Sequence, residues 1–175
     1  MVVVDERHIV VQRHMSAGVG AVWPVLADFP HLAEHWGGLR GTSAVGEQTS
    51  GVGARRHVEL RPVGSMDETV TAWDEGRRID TRNRPSRTVP FKAAESSLTL
   101  EPEAEGTLAT FDYRYVPRGG PIGRLTGPLI DRMLTATFAD MLAATEEAAR
   151  DTTSKLGDDA ADDDPDDQSD VEQDR

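Results

Sequence analysis

One apolar stripe near the C-terminal end constrains this chain more than any other feature. Leu125, Leu129, Met133, Leu134, Phe138, Met141, Leu142 and Thr145 recur at helical spacing, and the pattern predicts a helix running to about Arg150. Such a helix has roughly six turns and a length of about 35 Å at 1.5 Å per residue. Apolar on one side and polar on the other, it must lie across a partner surface of similar length. No other segment promises an equally long helix, so that surface has to be a sheet, and the chain an α+β domain.

The segments upstream supply that sheet. Residues 7–15, RHIVVQRHM, alternate and are rich in β-branched side chains, as a strand requires. Ser16 offers a hydroxyl suited to capping the short helix that follows, whose apolar face is Val19, Val22, Trp23 and Leu26. Pro24 lies too late for a first-turn proline, so it is expected to remove a hydrogen bond and bend this helix. A second short helix is expected over Pro30 to His35, ended by Gly37-Gly38. Breaks at Gly, Pro and Asn then divide 39–101 into candidate antiparallel strands at 40–48, 53–61, 66–74, 77–83 and 91–101. Pro62-Val63-Gly64 and Asp74-Glu75-Gly76 read as hairpin turns. After Gly106-Thr107 comes the most aromatic strand, with Ala109, Phe111, Tyr113 and Tyr115 on one face. The count is six to seven strands, with two short helices after the first of them.

A chain of 175 residues with 37% hydrophobic content builds one core, placed here in residues 1–152. Of the formal net charge of −12, a net −9 falls after Arg150, where 11 acids face only Lys155 and Arg175. Residues 153–175 therefore read as a disordered acidic tail. Its charge repels nucleic acid and anionic membranes. Solubility explains it most simply, and recruitment of a basic partner is the alternative. There are no cysteines, which excludes disulfides, thiolate metal sites and cysteine nucleophiles. MVVVDERH is neither a secretory leader nor a spanning segment, and no apolar run approaches membrane-crossing length, so a cytoplasmic protein is expected.

Several short stretches carry a family likeness. Val22-Trp23-Pro24-Val25-Leu26-Ala27-Asp28-Phe29 follows the first strand, with a second tryptophan at Trp36. Gly53 to Leu60 is a glycine-to-arginine strand, Glu68 to Glu75 a glutamate strand, Gly106-Thr107 precedes the last strand, and Gly120-Pro121-Ile122-Gly123 opens the terminal helix. In these features, over residues 7 to 150, the chain resembles the polyketide cyclase/dehydrase and lipid-transport branch of the START-like (SRPBCC, Bet v 1-like) superfamily. It departs from that pattern at Pro24 and in the acidic tail. The resemblance implies a helix-grip fold, a curved antiparallel sheet wrapped on the long helix around a deep cavity. Different members use that cavity for lipids, quinones, hormones or polyketide intermediates, and some are cyclases or aromatases. Fold alone does not choose among these.

The candidate site residues follow from strand geometry. A three-residue loop at Arg61 to Val63 puts Arg56 and Glu68 opposite each other on neighbouring strands, where they pair as a cross-strand ion pair. If the pair faces the cavity, Arg56 orients a carboxylate, enolate or phenolate, and Glu68 is its counter-charge or a base. A two-residue loop would separate them. Phe111, Tyr113 and Tyr115, with Trp36, Trp73 and Phe138, are candidates to line a pocket for an apolar or aromatic molecule, and equally for core packing. His31-Leu32-Ala33-Glu34-His35 matches a zinc-hydrolase motif, but on so short a helix it reads as exposed polar residues, and no metal or cofactor is expected. Gly51-Val52-Gly53 leads into a strand and reads as a turn. Gly119 to Thr126 reads as a hinge or lid at a pocket mouth, and His57 as part of a solvated face. The function expected is binding of a hydrophobic or aromatic small molecule. A polyketide cyclase, aromatase or dehydratase is the rival, and an interaction module using the tail a third class.

Overall fold

The computed structural model describes residues 6–119 and 121–159. Among them, seven strands form one antiparallel sheet: β1 (Arg7–Met15), β2 (Leu39–Ala44), β3 (Arg55–Leu60), β4 (Ser65–Asp74), β5 (Arg78–Pro85), β6 (Phe91–Glu103) and β7 (Gly106–Pro117). Their spatial order is β1-β7-β6-β5-β4-β3-β2. The meander therefore runs from β2 to β7, and β1 closes onto the last strand. Between β1 and β2 lie α1 (Val19–Ala27) and a 3-10 helix (Phe29–Glu34), and α2 (Pro121–Asp159) follows the sheet. This is the helix-grip arrangement.

Alternation decides which face is covered. Along β7, Thr107, Ala109, Phe111, Tyr113 and Tyr115 are buried, and along β1 so are Ile9, Val11 and Met15. Register shifts between Leu39 and Gly41, Val70 and Ala72, and Phe91 and Ala93 interrupt the ladders, and such irregularities bend a strand and raise its twist. Gly106, at φ +127°, is required where β7 begins. A Cβ there would lie 2.0 Å from the carbonyl oxygen of Met15.

Two polar clasps fix α2 across the sheet. Near its start, the Arg7 Nε donates to both Asp131 carboxylate oxygens at 2.9 Å, and the Tyr115 hydroxyl donates to Asp131 Oδ1 at 2.7 Å. Toward its end, the buried Glu146 accepts from the Ser16 backbone N–H at 3.0 Å, Arg13 Nε at 2.8 Å and Arg150 Nη2 at 2.5 Å. The lower clasp explains Ser16, which does not cap α1: the N-cap is Gly18, without a side-chain bond, and the Ser16 hydroxyl instead receives Arg150 Nε at 3.0 Å. Pro24 stands within α1, which continues past it to Ala27.

The terminal stripe is narrower than its sequence suggests. Leu134, Phe138, Met141, Leu142 and Thr145 are buried, whereas Leu125, Leu129 and Met133 are 86%, 72% and 51% exposed. Leu125 precedes Leu134 by nine residues, about 180° around a helix of 3.6 residues per turn, so the two cannot share a face. Ile130 and Gly127 face inward in their place. The helix also continues past the expected end near Arg150 to Asp159, so residues 153–159, expected to be disordered, are helical. The remainder of the acidic tail lies outside the described residues. No helix among the described residues is long and apolar enough to cross a membrane.

Burial pushes the Glu146 carboxyl up, but the Ser16 N–H and the Arg13 and Arg150 guanidinium groups outweigh it and hold the carboxyl below its ordinary value of 4.5. A depressed folded value means the contribution to stability is complete above the ordinary range and disappears as pH falls through the folded value. Glu146→Ala is therefore expected to cost about 2 kcal/mol in urea denaturation at pH 7, largely from the orphaned Ser16 N–H. The gap between variant and parent should shrink as the pH is lowered below 4.5.

Candidate functional site

Between the concave face of the sheet and α2 lies a cavity of about 600 Å³, within the range of small-molecule sites. Its walls are largely apolar. Leu26, Phe29 and Trp36 close one end, Ile79, Leu98 and Phe111 form the floor, and Phe138 and Met141 descend from α2. The mouth is bordered by Gly38, Pro62, Val63 and Thr88 on loops and by Met133 and Thr137 on α2.

Into this apolar space projects a band of polar side chains. The hairpin loop at Arg61–Val63, closed by the Leu60 N–H to the Gly64 carbonyl at 2.9 Å, sets Arg56 opposite Glu68 in register. Both face inward and are nearly inaccessible, with side chains 5% and 9% exposed. Arg56 Nε and Nη2 reach Glu68 Oε2 at 2.7 and 2.5 Å, and Nη1 donates to the Phe29 carbonyl at 2.6 Å. The guanidinium lies 4.0 Å from the centre of the Phe29 ring and 5.8 Å from that of Trp36, so aromatic faces cover it as well. Glu68 Oε1 has no hydrogen-bond partner among the described residues.

The band continues across the sheet. Glu68 is opposite Asn83, Thr81 opposite Ser96, and Ser96 opposite Tyr113, and all of them line the cavity. The Thr81 hydroxyl donates to Asn83 Oδ1 at 2.8 Å and lies 2.7 Å from the Ser96 hydroxyl. Burial, and then the charge of Glu68, hold the Tyr113 hydroxyl well above the ordinary tyrosine range, and the Asn83 amide beside it opposes this less strongly. Tyr113 is therefore a protonated donor at any physiological pH.

Six of the eight candidate residues come together here: Arg56, Glu68, Trp36, Phe111, Tyr113 and Phe138. The other two do not. Tyr115 is buried in the upper clasp, its hydroxyl committed to Asp131, and it packs on Phe91 with ring centres 5.2 Å apart. Trp73 sits outside the cavity, edge-on to Trp23 at 5.4 Å, and the indole N–H groups of Trp23 and Trp73 donate to Glu75 at 2.6 and 2.8 Å. Trp36 both lines the cavity and donates to Thr145 Oγ1 of α2 at 3.0 Å. Thr81, Asn83 and Ser96 were not singled out from sequence. For Thr81 and Asn83 a signal was available in RIDTRNR, where Asp80, Arg82 and Arg84 alternate with Ile79, Thr81 and Asn83, leaving the uncharged set to point inward.

His31 and His35 offer no metal geometry. Their segment is a 3-10 helix, in which residues four apart are not aligned, and His31 Nδ1 is paired with Asp28 at 2.6 Å. His57 stands on the outer face, 2.7 Å from Asp67. The expected hinge at Gly119 to Thr126 is not a loop over most of its length: residues 121–126 belong to the first turns of α2, Gly119 has φ +94°, and Gly120 lies outside the described residues.

Residues 6–150 match the family described as polyketide cyclase / dehydrase and lipid transport. No curated protein sequence matches the chain. Similar solved structures include a protein of Thermus thermophilus (17% identity, TM-score 0.72, covering 83% of this chain and 99% of that one). The Zhui aromatase/cyclase of Streptomyces sp. R1128 is similar at 16% identity and TM-score 0.71, over 83% and 94% of the two chains. A norcoclaurine synthase of Thalictrum flavum, a point mutant solved with a transition-state analogue, is similar at 17% identity and TM-score 0.67, over 87% and 99%. At these identities the likeness is one of fold.

A buried ion pair is far more costly to halve than to remove. Glu68→Leu, which strands the Arg56 cation, is expected to lower stability by about 3–5 kcal/mol. The double variant Arg56→Leu/Glu68→Leu should recover most of that loss in the same urea titration.

Proposed function

The chain belongs to the polyketide cyclase/dehydrase and lipid-transport family, and from that premise we propose that it binds an apolar or aromatic small molecule, lipid-, quinone- or polyketide-like, between its sheet and α2. The observation that carries this reading is the cavity itself. An apolar space of about 600 Å³ with a few convergent polar groups suits a ring- or chain-sized ligand, whose burial supplies affinity while the polar groups set orientation. Arg56, Glu68 and Tyr113 orient the ligand, and Trp36, Phe111 and Phe138 enclose it.

A second reading, as a cyclase, aromatase or dehydratase, is favoured by one specific arrangement. Glu68, with one carboxylate oxygen lacking a hydrogen-bond partner among the described residues, and Tyr113, held protonated, line the same cavity. Together they form an acceptor and donor pair that can move a proton from a carbon next to a carbonyl while the carbonyl oxygen takes the tyrosine hydrogen bond. If this reading holds, Glu68→Gln lowers turnover of a poly-β-ketone by about 10²–10⁴-fold, while ligand affinity changes far less.

Native mass spectrometry of the purified protein, followed by organic extraction, tests the binding reading directly by revealing a co-purifying molecule. A titration with the neutral dye Nile red gives the complementary measure. The parent protein should bind it with a blue-shifted emission. Leu98→Trp, which fills the cavity floor, should weaken binding at least tenfold without loss of the folded circular dichroism spectrum. A variant that binds as well as the parent would place the dye, and the site, elsewhere.

A further inference from the structure

Resting on the reading that the cavity binds an apolar or aromatic molecule, we propose a ligand class for it: uncharged ring compounds with a hydroxyl at the buried end, phenols or enols, and not carboxylates such as free fatty acids. The argument begins with the charge of the interior. Among the described residues, the acidic and basic side chains of the buried band are Glu68 and Arg56, and their opposite charges meet at 2.5–2.7 Å. At the mouth, Arg61 and Asp140 are again of opposite sign. An anion that leaves water for this cavity gains no net opposite charge in exchange for its hydration.

Nor is the arginine available as a fork for a carboxylate. Its Nε and Nη2 are held by Glu68, its Nη1 donates to the Phe29 carbonyl, and the Phe29 and Trp36 rings lie 4.0 and 5.8 Å from the guanidinium. A carboxylate approaching it also meets Glu68 Oε1, a partial negative charge without a partner among the described residues. That oxygen accepts from a donor. A neutral hydroxyl supplies one, in a charge-assisted bond inside a low-dielectric site, and an ionised acid has none to offer.

The remaining band suits the same ligand. Tyr113 offers a proton to the hydroxyl's oxygen or to a neighbouring carbonyl, and Thr81, Asn83 and Ser96 provide uncharged groups that both donate and accept. Around them the ring stack of Phe111, Tyr113 and Phe138, with centres 4.7–6.0 Å apart, presents flat apolar faces. A planar hydroxylated ring uses both features at once, whereas a flexible chain with an anionic head uses only the second.

A matched pair of probes tests this: 2-naphthol and 2-naphthoate share a ring system, and at pH 7 the first is neutral and the second ionised. Each is titrated against the full chain preloaded with Nile red. We expect 2-naphthol to displace the dye at a concentration at least tenfold lower than 2-naphthoate. Glu68→Gln, which unmasks the charge of Arg56, should shift the preference toward the carboxylate by tenfold or more. If that variant does not hold the dye, Arg56→Leu/Glu68→Leu replaces it, with an expected loss of at least tenfold for 2-naphthol and none for Nile red. Equal or tighter binding of 2-naphthoate by the parent, or a preference unchanged in a variant that retains the dye, overturns the inference and leaves the hydrophobic-ligand reading standing. A parent protein that binds no Nile red overturns both.

Discussion

The structure depends on two polar clasps that fasten α2 to β1 and β7 on either side of its apolar contacts. Asp131 is fastened to Arg7 and Tyr115, Glu146 to Arg13, Ser16 and Arg150, and the clasps stand fifteen residues apart on one helix. That separation is about 22 Å along the axis. A seven-stranded sheet is about 29 Å wide at 4.8 Å per strand spacing, while a helix with its side chains is about 10 Å across. One helix cannot fill such a trough. The α1 segment and the 3-10 helix fill part of one end, and the unfilled remainder is the cavity. The pocket is thus a consequence of architecture, and its chemistry is left to the side chains of β3 to β7.

Among those side chains, the Arg56–Glu68 pair sets the electrostatic character of the interior. A salt bridge this deeply buried is weak evidence of stabilisation, because the desolvation of two ions offsets much of their attraction. Its physical meaning lies elsewhere. It places a permanent dipole in a largely apolar wall, with the Phe29 and Trp36 rings beside the positive end and one carboxylate oxygen without a hydrogen-bond partner among the described residues. The cavity wall therefore carries a hydrogen-bond acceptor backed by a cation already engaged by Glu68 and the Phe29 carbonyl.

Much of this was legible before any coordinates, and the failures have definite causes. The Arg56–Glu68 register was readable because hairpin register follows from loop length, and the loop at Arg61–Val63 has the expected three residues. That Ala109, Phe111, Tyr113 and Tyr115 share one face of β7 was readable from strict alternation, and burial in the folded chain identifies that face as the inward one. Tyr115 and Trp73 went astray because alternation names a face and not a position along it. Tyr115 shares its face with Tyr113 but sits at the clasp, and Trp73 lies one register shift beyond Val70 in β4, against α1. Leu125 and Leu129 misled because apolar residues four apart drift around a helix by about 40° at each step, so they left the buried face within a few turns. The polar band was missed at Thr81, Asn83 and Ser96 because each is an unremarkable residue alone. Only the pairing of β4, β5 and β6 brings them into one group.

The closure of β1 onto β7 also has a consequence for how the molecule comes to be folded. Arg7 pairs with Tyr115, and Met15 with Thr107, so the first strand finds its place only after a long stretch of further chain has been synthesised. Its two arginines then pair with Asp131 and Glu146 of α2, which is made later still. Hairpins β2 to β7 join neighbours and form early, whereas the β1 seam must wait for a long loop to close, at an entropic cost that slows the final step. On a ribosome that emits the chain from its N-terminus, the strand made first is the strand seated last. Until then the β7 edge, with its buried aromatic row, stays open to other chains, and the concave face remains uncovered.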